Sequence, residues 1–154
     1  MRERHDPAHA GVVAGRVVGL VTAILAVARL LAAQEATVEQ LDAIVRALGI
    51  GVDGFGTAYF YLSVAGVAVT RYALAYVVGS LIGVAYDWLD ASTAALVGLV
   101  VAVGLLDGAV AAIDARNVWI GAAYVLAWLS YLPVFARLHD ESPDRERPRR
   151  LGRE

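Results

Sequence analysis

The sequence predicts an all-α integral membrane protein: a four-transmembrane-helix bundle with one short amphipathic interfacial helix between helices 1 and 2. Three observations carry this. The chain is 59% hydrophobic and 18% charged, where soluble domains run at roughly 45–50% apolar with about a quarter charged. Its long apolar stretches match the requirement of about 20 residues to cross a hydrocarbon core of about 30 Å. Finally, nine of its thirteen arginines lie at or near the chain ends, at Arg2, Arg4, Arg16, Arg137, Arg145, Arg147, Arg149, Arg150 and Arg153. With four spans both termini fall on one side, and the positive-inside bias makes that side cytoplasmic in a multi-pass cell-membrane protein.

Residues 1–9 are polar and mixed in charge, and read as a cytoplasmic tail ahead of a single membrane domain, residues 10–136. The first span, residues 10–33, is broken only by Arg16 and Arg29 near its ends, where long side chains can snorkel to the headgroups. A cleaved signal peptide is the rival reading, supported by the small-residue exit Ala32-Ala33. Its apolar core would run only about 7–15 residues, so a span is preferred.

Residues 34–56 carry Glu35, Glu39, Asp42 and Asp53 against Arg46 alone. Val38, Leu41, Ile44, Val45 and Leu48 recur at helical spacing, which predicts the interfacial helix over 38–48. Thr37 with Gln40 fits a capping box, and Gly49 supplies a stop. The acidic face disfavours anionic lipid, so this helix is expected on the outer surface, packed over the bundle's mouth, in preference to acting as a lid. Gly49, Gly51, Gly54 and Gly56 form a flexible entry without the Gly-Lys-Ser of a phosphate loop.

The second span, residues 57–86, would reach about 45 Å at 1.5 Å per residue, so it must tilt or rise out of the core. Tyr59, Phe60 and Tyr61 suit one aromatic belt, and Tyr86 with Trp88 the other. Helices over 93–112 and 118–136 follow, with Asp90 or Ser92 as N-cap of the third and Pro133 placed near the end of the fourth, where a kink costs least. Residues 137–154, with Pro143 and Pro148, read as a disordered cytoplasmic tail.

Leu89 lies midway between Arg71 and Asp107, eighteen positions from each, so an antiparallel hairpin would hold both charges at one depth. Reflection across the following turn brings Tyr124 to the same level. The result is an intramembrane polar layer with Arg71 donating, Asp107 accepting and Tyr124 able to do both. An ion pair that sets helix register is the favoured reading. The functional alternative has Arg71 holding an anion while Asp107 exchanges a proton.

Gly11, Gly15 and Gly19, continued by Ala23, form a groove of small residues on the first helix. Ala75, Gly79 and Gly83 continue the four-residue step from Arg71, and Gly104 and Gly108 flank Asp107. Such seams let helix backbones approach closely, and the first-helix groove would seat either another helix of this chain or a second copy. The stripe Tyr124, Trp128, Tyr131, Phe135 is expected to be packing, not a cofactor box.

There is no Cys and no Lys, which removes disulfides, thiol chemistry and Schiff bases. His5, His9 and His139 all lie in or beside the tails, so no embedded haem pair is available. The chain is therefore expected to be no enzyme, to carry no cofactor or metal, and to bind no nucleic acid; a lipid-modifying enzyme is the weakest alternative. Its expected partners are the lipid bilayer and either a second copy or a larger membrane protein. The leading functional expectation is a structural or accessory subunit packing through its glycine seams. The alternative is a small transporter or ion-translocating subunit using Arg71, Asp107 and Tyr124.

Overall fold

The computed structural model describes residues 7–49 and 54–140. Six helices follow in order: α1 Pro7–Ala32, α2 Gln34–Ala47, α3 Phe55–Trp88, α4 Thr93–Ala115, α5 Val118–Leu129 and α6 Tyr131–Asp140. No strand occurs among the described residues. Four helical stretches are long and apolar enough to cross a membrane, namely α1, α3, α4 and the run Val118–His139 formed by α5 and α6. Leu62, Leu81, Leu106 and Ile113 are among many large apolar side chains left on the surface. In water such a surface would be an aggregation liability, and against lipid it is an ordinary exterior. The molecule is a helical multi-pass membrane protein.

Several boundaries differ from expectation, each for a local reason. The fourth span is two segments, because Pro133 offers no N–H to the Leu129 carbonyl and its ring crowds that position; α5 stops at Leu129. Thr37 caps nothing: it lies inside α2, where its hydroxyl donates to the Ala33 carbonyl at 2.8 Å. The chain turns only briefly at Ala33 between α1 and α2, so α2 begins at Gln34. Ser92, not Asp90, caps α4, its hydroxyl accepting from the Ala95 N–H at 3.2 Å. Asp90 takes a left-handed backbone (φ 46°) instead. Residues 137–140 of the expected tail belong to α6, whereas residues 141–154, residues 1–6 and Gly51 lie outside the described residues.

The helices associate as two tight pairs, α1 with α3 and α4 with α5, and α1 also packs on α6. Gly11 faces Gly83 and Gly15 faces Gly79 so closely that a Cβ at Gly11 would lie 2.6 Å from Gly83 Cα, and one at Gly79 would fall on Gly15 Cα. Only glycine permits that approach, which brings whole backbones into dispersion contact. The antiparallel register continues into α2. Gln34 donates to the Tyr61 hydroxyl at 3.2 Å, and Asp42 Oδ1 accepts from the Gly56 N–H at 3.0 Å. Thus α2 packs along the first turns of α3, and Asp42 supplies an acceptor to an otherwise unpaired N-terminal donor of α3.

Where the pairs meet, Val18, Ile82, Val100, Trp128, Tyr131 and Phe135 form a common core. Tyr131 is wholly buried, and its hydroxyl donates to the Gly79 carbonyl at 2.9 Å. By contrast α3 and α4, neighbours in sequence, barely touch.

Candidate functional site: a cleft between α3 and α4

The seam that α3 and α4 leave open is a cleft of about 390 Å³, walled by Leu74, Ala75 and Val78 on one side and Val103, Leu106 and Val110 on the other. Trp128 and Thr22 line it as well. Arg71 and Asp107 also line it, with Arg71 Nη1 and Asp107 Oδ1 2.5 Å apart and the two side chains 23% and 18% exposed. A second cavity of about 550 Å³ continues toward the α2 end, lined by Arg29, Ser63, Thr70, Asp114 and Tyr124 among others. Arg71 and Leu74 belong to both cavities.

Local sequence builds this arrangement. Gly104 lies one turn from Asp107 on α4, and a Cβ there would sit 2.9 Å from Trp128 Cβ. The missing side chain lets Trp128 settle against α4, where its indole N–H donates to Asp107 Oδ2 at 3.0 Å. Both carboxylate oxygens therefore have a donor. Gly108 packs in the same way on Gly121, whose carbonyl would lie 2.7 Å from an added Cβ.

Tyr124 is held differently from the expected layer. Its hydroxyl reaches the Thr22 carbonyl at 3.5 Å, a long contact, and its ring lies under the guanidinium, with Arg71 Cζ 5.0 Å from the ring centroid. A guanidinium over an aromatic face is a cation–π contact. The remaining Arg71 N–H groups have no acceptor among the described residues and are free toward the cavities. Nearer the α2 end, Arg29 Nη1 and Asp114 Oδ2 are 2.5 Å apart. Asp114 lies two turns beyond Asp107 on α4, so two ion pairs succeed each other along one face.

The small residues divide by location. Gly11, Gly15, Gly19, Ala75, Gly79 and Gly83 lie where α1 meets α3, Gly104 and Gly108 where α4 meets α5, and Ala23 is buried. The α1 groove is occupied by α3 of the same chain. Sequence reasoning did not assign Trp128 as a donor, Arg29 to Asp114 or Gly121 to Gly108. Trp128 had a readable cue, standing one turn from Tyr124 on the same stripe. The Arg29 and Asp114 pairing had none, because the two residues lie 85 positions apart in different segments.

Among the described residues no three His, Asp or Glu side chains form a metal-ligand set. Compared with protein-family models, with curated proteins and with solved structures, the chain finds no match.

Proposed function

We propose that the protein is a non-enzymatic accessory subunit of the cell membrane, with both termini cytoplasmic, and that its working surface is the α3–α4 cleft instead of the glycine face of α1. One observation carries this reading. The α1 groove is filled from within the chain, whereas the α3–α4 seam is open and holds an arginine with unused donors. Convergent polar groups in a mainly apolar concavity of about 300–1,000 Å³ are the usual form of a binding site.

The arginine distribution supports the orientation. The surplus length of α3 supports an interfacial place for α2. At 1.5 Å per residue its 34 residues span about 51 Å, so a core of about 30 Å that begins near Trp88 leaves the first turns, where α2 packs, beyond the hydrocarbon.

The test is native mass spectrometry on the protein released gently from its own membrane, with Leu74→Trp as the variant that fills the cleft at its junction and Leu81→Trp as a control on exposed surface. Leu74→Trp should strip whatever is bound, and the control should keep it. Equal retention by both would refute the reading.

The runner-up, an ion-translocating subunit, draws on Asp107 being a carboxylate held by just two donors at a cavity wall. Swapping the two charges does not test it cleanly, because an arginine at position 107 would face the Trp128 N–H. The neutral pair Arg71→Gln with Asp107→Asn is the better probe: flux in liposomes that survives it rules translocation through this layer out.

A further inference from the structure

Resting on the reading of the cleft as the working surface, we infer that its ligand is a phospholipid, with the phosphate on Arg71, the headgroup toward the α2 end and one acyl chain lying between α3 and α4. The two cavities meet at Arg71 and differ in chemistry. Below it the walls are Ala75, Val78, Val103 and Leu106, apolar apart from Thr22, whose hydroxyl is spent on its own helix, and the Trp128 indole N–H held by Asp107. Above it they include Ser63, Thr70, Arg29 and Asp114, which offer hydroxyls and charge. An amphiphile fits that division in one direction only. The lip of the lower cavity is formed by Leu74 and Leu106, both exposed on membrane-spanning helices, so the medium that touches the opening is lipid.

Charge selects the head. Asp107 accepts from one nitrogen of Arg71, and the ring of Tyr124 covers one face of the guanidinium. The N–H groups left over point at no protein acceptor, and a phosphate oxygen is the strong acceptor a guanidinium fork matches. Asp107 thereby sets affinity as well as position: it lowers the net charge of the site and competes for the same cation, so its loss should strengthen anion binding.

The experiment uses full-length protein, delipidated in detergent and titrated by native mass spectrometry with phosphatidylglycerol, diacylglycerol and inorganic phosphate. Phosphatidylglycerol should bind about tenfold tighter than diacylglycerol, which has the same chains and no phosphate, the scale of one charge-assisted hydrogen bond. Asp107→Asn should raise phosphatidylglycerol affinity severalfold. The pair Arg71→Gln with Asp107→Asn, which leaves no orphan charge and so protects folding, should abolish the preference while lipid still binds. Lipid bound without headgroup preference, or a preference that survives the neutral pair, would overturn the phospholipid assignment and leave the cleft standing. So would inorganic phosphate displacing phosphatidylglycerol, because the site would then be one for free anions. Lipid binding untouched by Leu74→Trp would remove the cleft itself.

Discussion

The α1–α3 and α3–α4 seams share a helix and solve opposite problems. Along α1 the facing residues are glycines and the backbones meet without side chains between them. Along α4 the facing residues are Leu, Val, Arg and Asp, and the helices stand apart around a cleft. In lipid there is little hydrophobic gain from pushing two apolar helices together, so association depends on close packing and on polar contacts. The first seam uses packing. The second uses one ion pair, braced by the Trp128 indole. Such a seam holds its helices at a distance and leaves room for a third body.

The comparison can be broken first at the packed seam. Gly79→Leu places a side chain where Gly15 Cα now lies, and it should cost about 3 kcal/mol, the upper end for overpacking. Unfolding titrations in mixed micelles would read it, and a shift within error would mean that the seam is looser than drawn.

The ion pair comes next. Arg71→Gln alone leaves Asp107 with Trp128 as its only donor and should cost about 2 kcal/mol. Adding Asp107→Asn should recover most of that, since removing both partners is far milder than removing one. If the double variant is as unstable as the single, the pair is not what braces the cleft.

A smaller effect is expected outside both seams. Asp42→Ala removes the acceptor for the Gly56 N–H, a cap-like loss of about 1 kcal/mol. It should appear as faster amide exchange confined to α2 and the first turns of α3; uniform exchange across the protein would contradict α2 being a separate local unit. Smallest of all, Leu106→Ala on the lip of the cleft should change stability by less than about 0.5 kcal/mol, because that side chain is 70% exposed. A larger loss would show that α4 is packed against something at this lip.

Helical class and four membrane-length segments were readable because they depend on local quantities: run length, mean hydropathy and the absence of charge. Caps were half readable. Ser92, one of the two residues read as the cap of α4, does cap it, yet Thr37 shows that a good capping pattern is idle when the preceding helix runs on. The site was legible to the same extent. Equal spacing from Leu89 places Arg71 and Asp107 at one level, but spacing along two helices says nothing of which face a third presents, so Trp128 looked like one more aromatic in a stripe.

By itself the sequence determined the helical class, the four membrane-length segments and the common level of Arg71 and Asp107, since these follow from chain length, composition and the rise of a helix. Only the tertiary structure decided which helices pair. Gly15 could have met any small surface, and it meets Gly79 because α1 and α2 together run antiparallel to α3 in one continuous register. With that face of α3 spent on α1, the face turned to α4 is left with bulky side chains and one ion pair, and the cleft is what remains.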